Sequence, residues 1–212
     1  MITFKKREII YRPYEPIVKL IVDMIMIICV AYLLVIAFFD STQVAGHSMN
    51  DTLKDGDTVL IDKVCYEFRE PERYDLIVFE PKVANVSKFY VKRIIGLPGE
   101  TVQIKEGKVY IDGKKLESDL IGTDIYNAGL AAEAIRLGSN QYFVLGDNRN
   151  NSDDSRFSNV GLVNGKDIIG RAWMVTMPLA DFGFPRAKMP QSEEQTTSPT
   201  ETTEAETATF VK

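Results

Sequence analysis

A serine becomes a useful nucleophile only when a neighbouring base takes its proton. Ser48 lies in Gly46-His47-Ser48-Met49-Asn50-Asp51-Thr52-Leu53, and two residues could serve it. His47 is the chain's single histidine, but successive side chains in extended structure point to opposite faces, which places its ring poorly for Ser48 Oγ. Lys92 sits in the apolar stretch Phe89-Tyr90-Val91-Lys92-Arg93-Ile94-Ile95. A strand would put Tyr90, Lys92 and Ile94 on one face. A lysine on an apolar face loses hydration, which disfavours its charged form and lowers its pKa toward ~7 to 8, where it can act as a general base. The blander reading has Lys92 reaching out to solvent and Ser48 as an ordinary loop serine. Spacing alone leaves both readings open. A third element is the polar loop Gly146-Asp147-Asn148-Arg149-Asn150-Asn151-Ser152-Asp153-Asp154-Ser155-Arg156. Its hydroxyl and carboxylate groups could orient a lysine, and its arginines could pair the carboxylates. It lacks the glycine-then-glutamate spacing of a calcium-binding EF-hand loop.

Composition narrows the chemistry. The 212 residues suffice for one sizeable domain with appendages, and 45% of them are hydrophobic. A net charge of −5 offers no polycation for nucleic acid. One histidine and two separated cysteines, Cys29 and Cys65, give no zinc-ligand cluster and no expected internal disulfide.

The elements that must position these groups follow from the pattern. Residues 1 to 16 form a short polar segment with Lys5, Lys6, Arg7 and Arg12. Residues 17 to 39 are an apolar run interrupted by Lys19 and Asp23, which stand one helical turn apart and can pair. Three readings compete: a transmembrane anchor, a cleaved secretory signal ending near Gln43-Val44-Ala45, and a buried soluble helix. The length favours the anchor, because ~1.5 Å per residue spans a ~30 Å hydrocarbon core. The preceding basic residues would keep the N-terminus cytoplasmic and place the rest outside. Residues 40 to 186 read as an extracytoplasmic domain of strands at 58 to 64, 76 to 79 and 89 to 95, a hairpin at 102 to 111 turning at Glu106-Gly107, and strands at 142 to 145 and 168 to 177. A short helix is expected over 128 to 137. Residues 187 to 212 are rich in Thr and Glu and nearly devoid of apolar residues, which predicts a disordered tail.

In this order the segments resemble the bacterial type I signal peptidase family. The resemblance rests on Ser48-Met49-x-x-Thr52-Leu53, on Gly56-Asp57-x-Val59-Leu60-Ile61-x-Lys63, on Tyr90-Val91-Lys92-Arg93-Ile94-Ile95-Gly96-Leu97-Pro98-Gly99-Glu100, and on Gly146-Asp147-Asn148-Arg149-x-x-Ser152-x-Asp154-Ser155-Arg156. It covers roughly residues 17 to 180. It implies an all-β fold of coiled antiparallel sheets with a variable cap at about 100 to 141. It implies a membrane-bound serine endopeptidase that removes N-terminal signal peptides from exported preproteins through an acyl-enzyme, cutting after small residues of the Ala-x-Ala type, without metal or cofactor. Ser48 is then the nucleophile and Lys92 the base. Ser152 orients the lysine, Asp154 and Arg156 form a supporting pair, and Asp147 and Arg149 are structural. Gln43 and Val44 pair with substrate as a strand, and Met49, Leu53, Tyr90 and Val91 surround the small-residue pockets. The implied partners are preproteins, the lipid bilayer and a nearby secretion translocon. Asp51 replaces a proline usual in the family, and Gly46 stands where some members carry a serine that helps bind the oxyanion. Two other readings stand beside this one: a self-cleaving Ser/Lys protease of the repressor type, and a non-catalytic anchored β-domain that binds exported chains.

Overall fold

Pro16 in the first turn and the uninterrupted apolar sequence behind it produce helix α1, Glu15–Phe38. At ~1.5 Å per residue it is about 36 Å long, enough to cross a bilayer's hydrocarbon core. None of its residues is buried against the rest of the chain, which excludes a soluble core helix. The computed structural model describes residues 14–50, 52–81, 89–117, 121 and 123–185. The basic N-terminal segment before Tyr14, Asp51 and the expected disordered tail lie outside the described residues.

The apolar run ends one residue earlier than its composition suggests. Phe39 is extended and opens strand β1, Phe39–Gln43, with no linker after the helix. Its ring lies 5.5 Å from that of Trp173, and Phe184 packs on the other side of Trp173 at 5.6 Å. β2, Thr58–Asp62, is shorter than expected, because the Asp62 carboxylate accepts the N–H groups of Val64 and Cys65 and turns the chain into the short helix α2, Cys65–Phe68. β3, Leu76–Phe79, and β4, Tyr90–Gly96, follow. The hairpin of β5, Thr101–Lys105, and β6, Lys108–Ile111, turns on Glu106 and Gly107, both with positive φ as a two-residue type I′ turn requires. β7, Lys114–Lys115, and β8, Ile135–Arg136, complete a small sheet in the order β7-β6-β5-β8.

The helix expected over 128 to 137 is replaced by one 3₁₀ turn, Gly129–Ala132, and then β8. Tertiary contact overrides local propensity here. Leu130 N–H donates to the Arg156 carbonyl at 2.8 Å, and Gly129, at φ +53°, lies so close that a Cβ would stand 2.3 Å from that oxygen.

β9, Gln141–Leu145, β10, Val163–Asn164, and β11, Ile168–Met177, join the earlier strands in a seven-stranded antiparallel sheet ordered β1-β2-β11-β3-β4-β9-β10. Register shifts in β11 and β4 let this sheet curl. Its core on one side gathers Val44, Met49, Leu53, Val59, Ile61 and Val91, so the segment around Ser48 is pinned by apolar side chains before and after it. β4 runs through the middle of the sheet, between β3 and β9, and is buried from Val91 to Gly96.

β11 crosses β2 at Gly170, where a Cβ would lie 2.4 Å from the Asp62 carbonyl oxygen. Gly170→Ala is expected to destabilise the domain by about 1–3 kcal/mol through forced backbone movement, read as a lower Tm of the detergent-solubilised protein.

Candidate active site

After β1 the chain bends at Gly46, with φ +88°, and enters a turn in which Leu53 N–H donates to the Met49 carbonyl at 2.8 Å. Met49 and Leu53 drive this turn into the core and leave Ser48 half-buried at the floor of an open cleft of about 610 Å³. Lys92, in the middle of β4, reaches the same floor. Its Nζ stands 2.7 Å from Ser48 Oγ, and the residue is only 4% exposed. Tyr90 lies on the same face, as the strand period predicts, with its ring centroid 5.1 Å from Nζ. Burial pushes the Lys92 pKa down to about 8, while the carboxylates of Asp154, Asp153 and Asp147 pull in the opposite direction. As an ammonium Nζ donates to Oγ. As a neutral amine it can accept the Oγ proton across the same contact. His47 is exposed, and its carbonyl accepts a hydrogen bond from Asn148 Nδ2 at 3.0 Å.

The polar loop of residues 146 to 156 packs against Ser48 and lines the same cleft as Lys92. Asn148 N–H donates to the Ser48 carbonyl at 3.0 Å. Gly146 permits this approach, since a Cβ there would lie 2.2 Å from Ser152 Oγ and 2.5 Å from the Ser48 carbonyl oxygen. Ser152 lines the cleft, and its buried Oγ hydrogen-bonds none of the described residues. Asp154 and Arg156 form a buried two-pronged pair, Nε to Oδ1 at 2.8 Å and Nη2 to Oδ2 at 2.9 Å, and Asp154 Oδ2 also accepts Gly146 N–H at 3.1 Å. Arg149 is buried as well, and its carbonyl accepts Arg156 Nη2 at 2.6 Å.

Sequence reasoning missed Arg93, treated there as a neighbour of Lys92 with no task. Its guanidinium grips Asp147 through Nε to Oδ1 at 2.8 Å and Nη2 to Oδ2 at 2.6 Å, and Thr52 Oγ1 donates to the same carboxylate. Adjacent residues of β4 thus serve opposite faces, Lys92 toward Ser48 and Arg93 toward the 146 to 156 loop. An arginine in a run of buried strand residues was the available signal, because a buried guanidinium demands a carboxylate. Asn150 was also missed. Its side chain donates to the Asp124 carbonyl at 2.9 Å and accepts Tyr126 N–H at 3.0 Å, which ties the region of the small sheet to the cleft wall.

Of the expected substrate-contacting residues, Val44, Met49, Tyr90 and Val91 line the cleft. Leu53 is fully buried behind it, and Gln43, in β1, turns its side-chain amide to the Gly56 carbonyl at 3.2 Å.

The family model described as signal peptidase, peptidase S26, matches residues 17–177. The chain belongs to this family. Its activity is therefore removal of signal peptides by a serine peptidase, and the membership removes the reading of a non-catalytic binding domain. The peptidase is 34% identical over 187 residues to signal peptidase I U of Bacillus subtilis strain 168, covering 85% of this chain and 95% of that protein. It is 37% identical over 150 residues to a probable signal peptidase I-2 of Synechocystis, covering 68% of this chain and 66% of that one. A crystal structure of a signal peptidase I from Enterococcus faecalis aligns with a TM-score of 0.40 at 33% identity, over 49% of this chain and 97% of the other.

The lowered Lys92 pKa makes two predictions. With neutral Lys92 as the base, kcat/KM is expected to fall about tenfold per pH unit below about 8 and to level off above it. Stability follows with a definite sign. The folded pKa lies below the unfolded one, so the burial penalty is full below about pH 8 and is relieved as pH rises toward 10.5. Lys92→Met should therefore unfold at a higher temperature than the parent at pH 7 while losing cleavage.

Proposed function

We propose that Ser48 is the acylating nucleophile and Lys92 its general base, acting on secreted preproteins at the membrane surface. The observation that carries this reading is the buried amine 2.7 Å from Ser48 Oγ at the floor of the cleft. Neutral Lys92 takes the Oγ proton as Oγ attacks the scissile carbonyl carbon. The tetrahedral intermediate collapses, and the ammonium returns the proton to the departing amine, the new N-terminus of the mature protein. The signal peptide is left as an ester on Ser48. Lys92 then deprotonates a water, which attacks the ester; the bond to Ser48 breaks, the ammonium returns the proton to Ser48 Oγ, and the signal peptide leaves with a new C-terminal carboxyl group. The Ser48 backbone N–H is a donor for the developing oxyanion.

Ser152 orients the amine during these transfers, which fits its place on the cleft wall with an Oγ that has no other partner among the described residues. Asp154 with Arg156, and Asp147 and Arg149, hold the loop on which Ser152 rides. The substrate lies extended along β1, the edge strand of the large sheet. Val44 turns its N–H and carbonyl inward to Asp57 and Gly56, so strand alternation leaves the backbone groups of Gln43 and Ala45 facing outward for pairing. Val44, Met49, Tyr90 and Val91 bound pockets that admit small side chains at the first and third positions before the cut, with Leu53 backing them. The family is membrane-anchored and α1 is long enough to span. We place the N-terminus in the cytoplasm and the peptidase domain outside, near the secretion translocon.

Ser48→Ala and Lys92→Ala should each reduce cleavage of a purified preprotein by at least ~10³-fold while leaving the protein in the membrane fraction. Undiminished cleavage by Lys92→Ala would remove the dyad.

A further inference from the structure

Four carboxylates or bases crowd the region of Ser48, and they differ in how their charge is compensated. Asp147 is buried in the grip of Arg93, and Asp154 is buried in the grip of Arg156, so each brings its own cation. Lys92 is buried and must be neutral to work. Asp153 stands apart. It lies on the wall of the same cleft, it is exposed, and among the described residues no lysine or arginine closes an ion pair with it. The other titratable residues of that wall are Tyr90, whose ring faces the Lys92 amine, and His47, which is exposed on the stretch that carries Ser48. When Lys92 is neutral, Asp153 is therefore, among the described residues, the one carboxylate of the cleft wall with no cation paired to it. Its field reaches Lys92, since it is one of the carboxylates that hold the pKa of that amine up against the effect of burial.

We propose that Asp153 is a specificity-determining residue, which favours basic and disfavours acidic side chains in the preprotein next to the scissile bond. A charge at the rim of a binding site acts mostly through long-range attraction and repulsion, so its effect is greatest at low ionic strength and fades as the Debye length shrinks. The small-residue pockets select at the first and third positions before the cut. Asp153 adds an electrostatic selection at positions whose side chains leave the cleft toward solvent: the one between the two small residues, and the first two after the cut. Asp153 is exposed, so a substitution there is expected to spare the fold, whereas Asp154 next to it is buried in its pair with Arg156. The inference rests on the cleft being the peptidase site.

The test uses the full-length protein in detergent and a preprotein substrate in which each of those three positions is set in turn to Lys, Gln or Glu. At low salt the parent should give a Lys-to-Glu ratio in kcat/KM of about five- to tenfold at one or more positions. Asp153→Asn should bring that ratio to within about twofold of one, and Asp153→Lys should invert it. In 1 M salt the parent ratio should shrink toward one. Equal ratios in the parent and both variants at all three positions overturn the proposal. Cleavage that proceeds with unchanged ratios is distinct from failure of the site assignment itself, which would appear as undiminished cutting by Ser48→Ala.

Discussion

A primary amine is protonated in water at neutral pH, and a protonated amine cannot take a proton from serine. Everything around the cleft answers that constraint. Lys92 is carried into the interior by β4, an inner strand buried on both faces from Val91 to Gly96, where its charged form is poorly solvated and its pKa falls to about 8. Ser48 is then brought to it by a turn whose flanking residues, Met49 and Leu53, belong to the core. Apolar neighbours thus fix the position of Ser48 and lower the pKa of Lys92, which is what the proposed dyad needs.

Burying an amine creates a second difficulty, which two carboxylate–guanidinium pairs resolve. The loop of residues 146 to 156 is dense in polar groups beside Ser48 and Lys92, yet it packs into an interior that penalises bare charge. Arg93–Asp147 fastens the beginning of the loop to β4, and Arg156–Asp154 fastens its end. Each pair is two-pronged and buried, so breaking one partner would strand a charge in low dielectric. Such pairs are costly as sources of stability. Their value here is geometric, since each guanidinium also donates to backbone carbonyls, Tyr74 for Arg93 and Asn127 and Arg149 for Arg156.

The parts legible in the sequence were those encoded by local period and composition. Alternation placed Lys92 and Tyr90 on one face, positive-φ turn chemistry placed the 102 to 111 hairpin, and the apolar run placed α1. The parts that were not legible depend on partners far apart in the chain. Arg93 and Asp147 are separated by 54 residues, and nothing local to either announces the other. The 3₁₀ turn at Gly129–Ala132 replaces a helix because the Arg156 carbonyl waits there. A strand was expected at Gln43-Val44, but the start of β1 was hidden by continuity, since Phe39 extends an apolar run and only its pairing with Asp62 reveals the strand there.

The passage from α1 to β1 has a mechanical meaning. The last helical residue, Phe38, already accepts a hydrogen bond through its carbonyl from Lys63, and Phe39 is clamped by Trp173. A floppy connection would let Ser48 wander through a range of distances from the helix end. This one behaves as a yardstick. Five strand residues at ~3.3 Å each set a single standoff of about 17 Å before the chain reaches the bend toward Ser48. Any tilt of the helix is transmitted to the sheet as a rotation of the whole cleft, so the lipid thickness that sets that tilt would also aim the cutting edge.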